Sequence, residues 1–330
     1  MYSMTNGTRT AIAVDNVVKV YRGRSAAPVR ALDGLSMEVK SGEVFGLLGR
    51  NGAGKTTLLR ILTTLVEPTA GHVSVMGHDV QKEPYEVRKN ICAVLQENAV
   101  ELYLSVVDNL ATYARFHSIR REEARTRIDA AIEQFGLEEY RNQKVIDMSG
   151  GTKRRVQVAK AFMVDTPLMF LDEPTTGMDP ITKRTTLDAL RGEASRGRTV
   201  FLTTHILQEA EELCDRIAII DHGRIVAQGD LRTIKSLASD MVDVSLTFGE
   251  VTAQLLEELS RIPLLKLTRQ HNTFEFSIRG REQSALDIIT RLAVSHPIVE
   301  VEIRGATLED AFLELLGRDT PRASGEESQR

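Results

Sequence analysis

Hydrophobic positions along the chain form two kinds of pattern. Apolar runs of four to eight residues alternate with segments whose apolar positions recur at helical spacing, which marks an α/β architecture. Val44 to Leu48 reads as a buried strand and Lys55 to Leu65 as the helix after it. His72 to Met76 and Ile91 to Leu95 read as short strands. Ala124, Ile128, Ala131, Ile132 and Phe135 lie on one helical face, and Gly136 is placed to cap it, so residues 106–135 are expected to form a helical insertion. Leu168 to Leu171 is another buried strand. Thr199 to Thr203 and Arg216 to Ile220 repeat the pattern, with helices between them.

The pattern changes after about residue 230. Strand-like Val242 to Phe248 leads to helix-like Ala253 to Ser260, then strands at Leu264 to Arg269 and Thr273 to Ile278. A helix over Ser284 to Val294 and a strand over Ile298 to Ile303 complete a βαββαβ order, which predicts a small α+β, ferredoxin-like domain. A last helix, Leu308 to Leu316, has Thr307 as N-cap and Asp310 three residues on. The expected organisation is an N-terminal extension over 1–10, a first domain over 11–235 with a helical subdomain near 97–165, and an accessory domain over 240–317. The polar segment 318–330 is expected to be a disordered tail.

Composition narrows the functional classes. The 330 residues carry 42 Lys plus Arg against 46 Asp plus Glu. The two signs balance at 30 each through residue 230, and the excess of acid lies beyond it. No basic stripe is present, so a nucleic-acid partner is not expected. No apolar run approaches the roughly 18–20 residues that span a bilayer, and the N-terminus lacks the basic and apolar regions of a signal peptide. Cys92 and Cys214 lie far apart, outside any CxxC, and are expected to be reduced, buried thiols of a cytosolic protein. The seven histidines show no metal-ligand spacing.

The chemistry is concentrated in a few short motifs. Gly49-Arg50-Asn51-Gly52-Ala53-Gly54-Lys55-Thr56 fits GxxxxGK[ST] and lies between a predicted strand and a predicted helix, with Thr57 next in that helix. Such a loop turns successive N–H groups inward, and the helix N-terminus completes an anion cradle. Lys55 adds a cation at the β- and γ-phosphates, and the Thr56 hydroxyl is suited to Mg²⁺. Leu168-Met169-Phe170-Leu171-Asp172-Glu173 ends an apolar strand in two acids. Asp172 is placed for the metal, and Glu173 for orienting and deprotonating a water.

Met148-Ser149-Gly150-Gly151-Thr152-Lys153 then resembles the signature loop of ATP-binding cassette (ABC) ATPases, usually LSGGQ, with Met for Leu and Thr for Gln. The resemblance covers residues 11–230 and implies the cassette fold, a P-loop ATPase domain with a helical signature subdomain. It implies ATP and Mg²⁺ as ligands, and roles for further residues. Tyr21 is similar to the aromatic that stacks on adenine, and Gln96 to the glutamine that reaches the metal and the attacking water. Thr176-Gly177-Met178-Asp179 resembles the loop at the dimer interface, and His205 the switch histidine at the γ-phosphate. The run Lys153-Arg154-Arg155, the C-terminal domain and the ending Thr307 to Leu316 are similar to those of daunorubicin-resistance-type exporter ATPases.

In that family the signature of one domain completes the site of another. The resemblance therefore implies a second ATPase chain, a copy of this one or a related one, with Ser149, Gly150 and Gly151 facing the partner's γ-phosphate. It further implies a separate polytopic permease and a place on the cytoplasmic face of the membrane. Glu97 to Asp108 and the helical insertion are the expected docking surface; Arg154 and Arg155 fit either docking or a solvated helix face. A soluble family member acting on ribosomes or nucleic acid is disfavoured by the single cassette and by the 94 positions between Lys55 and Ser149, too few for a long coiled coil. A kinase or GTPase would leave the signature unexplained, and no NKxD motif occurs.

Overall fold

The computed structural model describes residues 9–22, 27–96, 100–237, 241–279, 282–305 and 307–317. The expected tail over 318–330, positions 1–8 of the expected N-terminal extension and positions 97–99 of the expected docking segment lie outside them. The chain divides into two compact units, 1–230 and 231–330. The first begins β1 (Thr10–Tyr21), β2 (Val29–Lys40), β3 (Val44–Leu48), α1 (Lys55–Leu62), β4 (Ala70–Val75), β5 (His78–Asp79), α2 (Pro84–Lys89) and β6 (Ile91–Val94). It continues α3 (Val106–Phe116), α4 (Arg121–Gln134), α5 (Gly150–Ala161), β7 (Leu168–Asp172), α6 (Pro180–Ser195), β8 (Thr199–Thr204), α7 (Leu207–Leu213), β9 (Arg216–Asp221) and β10 (Arg224–Asp230).

Two sheets form this unit. One has the order β10-β9-β3-β8-β7-β6, and the other, β2-β1-β4-β5, is antiparallel. Strands β3, β7 and β8 are buried at every position, which is why they read as unbroken apolar runs. Phe45 and Phe170 pack on Phe201 with ring centroids 5.7 and 5.5 Å away. Leu58, Leu59, Ile61 and Leu62 bury one face of α1 in the same core. A second core lies in the helical insertion, where Ala124, Ile128, Ala131 and Ile132 of α4 meet Leu110, Val156 and Met163.

Helix α1 is shorter than its pattern. Thr63 Oγ1 turns back to Leu59 O at 2.8 Å, and Thr64 adopts a positive φ of 62°, so the chain leaves the helix before Leu65. Strands β1 and β2 are hidden in the sequence by four register shifts in their pairing, which interrupt the two-residue alternation. The β9–β10 hairpin turns through His222 and Gly223, both at positive φ.

The second unit holds α8 (Leu231–Lys235), β11 (Met241–Phe248), α9 (Ala253–Ser260), β12 (Lys266–Gln270), β13 (Thr273–Arg279), α10 (Glu282–Ser295), β14 (Ile298–Arg304) and α11 (Leu308–Gly317). It starts at Leu231 rather than beyond 235, because α8 packs against α11. The sheet order β12-β13-β11-β14, antiparallel throughout, is the ferredoxin-like one. Leu246, Phe248, Phe274 and Leu255 anchor its core. At α11, Thr307 Oγ1 accepts from Asp310 N at 3.1 Å and Asp310 Oδ2 accepts from Thr307 N at 2.9 Å, a capping box built with Asp.

Candidate active site

Strands β3, β8, β7 and β6 run parallel, so their carboxyl ends share one sheet edge. The crevice beyond such an edge is the usual ligand site of an open α/β sheet. The loop 49–54 follows β3, Gln96 follows β6, Glu173 follows β7 and His205 follows β8. A cavity of about 390 Å³ there is lined by Ala31, Asn51, Gly52, Gly54, Lys55, Thr56, Thr57, Gln96, Glu173 and His205.

Local forces explain each placement. Gly54 holds φ at 114°, and a Cβ there would come within 2.7 Å of Ala31 O, so only glycine closes the loop onto α1. No side chain caps α1, and its first-turn amides are left for the cavity. Lys55, 6% exposed, donates through Nζ to Gly49 O at 2.8 Å and Arg50 O at 3.2 Å. Burial pushes its ammonium below the ordinary lysine range, while the charges of Glu173 and Asp172 push back.

Asp172 is fully buried behind the cavity wall. Its Oδ2 accepts from Thr56 Oγ1 at 3.2 Å, and its Oδ1 accepts from Thr203 Oγ1 at 2.5 Å. Glu173 takes φ +52°, a left-handed conformation uncommon outside glycine, and its N–H donates to Thr203 O and Oγ1, each at 3.1 Å. This turn brings Glu173 Oε1 to 3.1 Å from His205 Nδ1, and Oε2 accepts from Thr176 Oγ1 at 3.3 Å.

The signature segment is placed differently. Ser149 and Gly150 are exposed at the start of α5, and neither they nor Gly151 line the cavity. Ser149 Oγ accepts from Thr152 N at 3.1 Å, so Thr152, which stands where the family pattern has Gln, is drawn into the cap. A Cβ at Gly151 would collide with Gly177 O, which fixes α5 against the 176–179 loop. Asp179 caps α6 by accepting from Ile181 N and Thr182 N at 3.1 and 3.0 Å; these bonds and the Thr182 hydroxyl hold its carboxyl below the usual range. Tyr21 ends β1 outside the cavity lining, half-buried, with Lys19 Nζ 5.1 Å from its ring centroid.

Two supporting residues, Thr203 and Glu209, escape the sequence reading, and a third, Arg154, is misplaced by it. Thr203 holds Asp172 and Glu173 as described. Glu209, 2% exposed, accepts from Thr175 Oγ1 at 2.6 Å and Thr204 Oγ1 at 3.2 Å and pairs with Lys183 Nζ at 2.8 Å, tying α6 and α7 to the end of β8. Its position four residues after His205, beside Ala210 on an apolar face, was the available signal. Arg154 is 7% exposed, which corrects its reading as a docking or solvated charge; it is bonded inside the domain. Arg155 is half-buried, reaches Gly136 O at 3.2 Å and has its guanidinium 5.6 Å from the Tyr140 ring centroid. Cys92 and Cys214 are buried free thiols, and burial raises the pKa of both. Among the described residues, no group of three or more His, Cys, Asp or Glu could hold a metal, and no helix is long and apolar enough to cross a membrane.

A strand, a glycine-rich loop, a helix and a second strand ending in acids define a P-loop nucleoside triphosphatase. A family model described as ABC transporter matches residues 32–176. The daunorubicin resistance ATP-binding protein DrrA3 of Streptomyces coeruleorubidus is 37% identical over 314 residues, 94% of this chain and 97% of that protein. Nod factor export ATP-binding protein I of Burkholderia thailandensis is 36% identical over 290 residues, 87% of this chain and 92% of the relative. Among solved structures, the dimeric post-hydrolysis ATP-binding cassette MJ0796 bound to ADP and Pi superposes with a TM-score of 0.62 and 27% identity, covering 67% of this chain and 99% of that one. The chain belongs to the ABC transporter family, as one of its ATP-hydrolysing subunits.

Proposed function

We propose that this subunit powers export of a drug-like or other amphiphilic cargo. It works as a head-to-tail dimer on the cytoplasmic face of the membrane, beneath a separate polytopic permease. The observation that carries the reading is the division of the motifs. Lys55, Thr56, Gln96, Glu173 and His205 share one cavity, while Ser149 to Gly151 open α5 on the exterior. Relatives of nearly full coverage named for daunorubicin resistance and Nod factor export favour an exporter over a soluble member.

The cavity's chemistry suits ATP. The loop amides of residues 50–54 and the open end of α1 receive the phosphates, and Lys55 exchanges its loop carbonyls for their oxygens. Tyr21 offers a face to the adenine. The Thr56 hydroxyl, the Asp172 carboxylate 3.2 Å from it and the Gln96 amide form an oxygen donor set that fits Mg²⁺. When bound, that ion would neutralise charge on the β- and γ-phosphates. Glu173 orients the attacking water and takes its proton, and His205 holds Glu173 through Oε1 while facing the γ-phosphate. Asp179 keeps the interface loop rigid through its helix cap.

ATP favours the closed dimer because Ser149, Gly150 and Gly151 of a second copy complete its site. Moving a two-state balance from 1:99 to 99:1 needs about 5.5 kcal/mol of preference, spread over two such sites. A tagged Glu173→Gln chain, expressed in the native host and solubilised with ATP and Mg²⁺, tests the reading. Two copies per polytopic membrane protein, with turnover reduced about 10²–10⁴-fold, are expected. A monomer accompanied by ribosomes or nucleic acid and no membrane protein would overturn it.

A further inference from the structure

We propose that Arg154 is a positioning residue for hydrolysis. Its buried guanidinium ties the Asp172–Glu173 peptide, and the strand end that leads to Gln96, to the helix that opens at Ser149. The inference rests on the reading that this cavity hydrolyses ATP.

Arg154 sits on α5, five positions after Ser149. One terminal nitrogen donates to Leu95 O at 3.0 Å and to Gln157 Oε1 at 2.5 Å. The other donates to Asp172 O. Gln157 lies one turn further along α5, so it fixes the plane of the guanidinium relative to that helix. Leu95 directly precedes Gln96, and the Asp172 carbonyl belongs to the peptide whose N–H is that of Glu173. That peptide is held at both ends: its C=O accepts from Arg154, and its N–H donates to Thr203 O and Oγ1. A peptide fixed in this way cannot rotate freely. It keeps Glu173 at φ +52° and aims the carboxylate into the cavity, 3.1 Å from His205 Nδ1.

The residue type matters. A planar fork reaches two carbonyls on different strands and a side chain on its own helix at once, which a lysine ammonium cannot reproduce. Burial lowers the guanidinium's pKa, and the charges of Asp172 and Glu173 oppose that shift, so the acids at the strand end help keep the cation inside. Nε is buried without a hydrogen-bond partner among the described residues. The arrangement links the helix expected to meet a partner's phosphate to the two cavity residues expected to handle water in its own site.

Wild type, Arg154→Met, Arg154→Lys and Gln157→Leu are compared as full chains, by steady-state ATP hydrolysis and by binding of a fluorescent ATP analogue. Arg154→Met should lower kcat about 10- to 100-fold, the scale of a misplaced reacting group. Analogue affinity should stay within about twofold, because Lys55 and its loop are untouched. Arg154→Lys should recover part of the lost kcat. Gln157→Leu frees the guanidinium plane without removing the cation; it should lower kcat less than Arg154→Met, and it keeps the test open if that variant fails to fold. Wild-type kcat in both Arg154→Met and Gln157→Leu, or an equal fall in affinity and kcat, would overturn the positioning role alone. A wild-type chain that does not hydrolyse ATP would remove the parent reading and this one together.

Discussion

Helices α1 and α5 both open on a glycine-bearing loop, and neither has an acid in its first turn. The absence of an acid leaves both starts favourable to an anion. They differ in what meets the free amides. At α1 the N-cap is Gly54, no side chain answers the first turn, and Lys55 lies buried beside it. At α5 the N-cap is Ser149, whose hydroxyl accepts from Thr152 N, and the segment is exposed. The first start is prepared inside its own chain. At the second, the serine answers the Thr152 N–H alone, a cap of about 1 kcal/mol. On the proposed function, the amides of Gly150 and Gly151 are what a closed dimer presents to a partner's γ-phosphate.

The sharpest way to break this contrast is to remove the cation from the prepared end. Lys55→Ala should lower turnover about 10²–10³-fold, the usual scale for losing a preorganised charge at a developing anion. Steady-state hydrolysis at saturating ATP measures it, and undiminished kcat would withdraw Lys55 from its role. Ser149→Ala probes the capped end and should have a smaller, divided effect. The loss of the cap costs about 1 kcal/mol of stability, visible in a urea titration. ATP-driven dimerisation should weaken, while nucleotide affinity of the monomer stays unchanged. Undisturbed dimerisation would make Ser149 a cap and nothing more.

The same contrast governs what was legible in the sequence. Glycines, Lys55 and the strand-end acids announce themselves because each depends on local backbone geometry and an adjoining apolar run. The strands β3 and β7 could therefore be placed within a residue. The ferredoxin-like order was readable from the alternation of short apolar runs with helical periods. Of the antiparallel sheet only β4 was, as the run His72 to Met76; register shifts within β1 and β2 scramble their alternation. Arg154 and Glu209 were hidden for another reason. Their partners Leu95, Asp172 and Thr175 are distant in sequence, and a charged residue on a helix normally reads as solvated. Long-range satisfaction of a buried charge has no periodic signature.

Two buried lysines provide the smallest and most discriminating test. Lys55 is compensated by two loop carbonyls and by the charges of Glu173 and Asp172. Lys160, near the end of α5, lies 5.8 Å from the Tyr113 ring centroid, and burial lowers its pKa from 10.5 to about 8 while the Glu101 charge opposes the shift. A lysine whose folded pKa is depressed binds fewer protons folded than unfolded across that interval. Stability therefore rises with pH from about 8 to about 10.5, and the full penalty is present below about 8. Lys160→Met keeps the length and the ring contact and removes the charge. It should be more stable than wild type at pH 7 by about 1 kcal/mol, after discounting for partial solvation, and the gap should narrow towards pH 10. Urea midpoints at pH 7 and pH 9.5 decide it. A methionine variant that is weaker at pH 7, or a gap that widens with pH, would overturn the burial penalty assigned to Lys160.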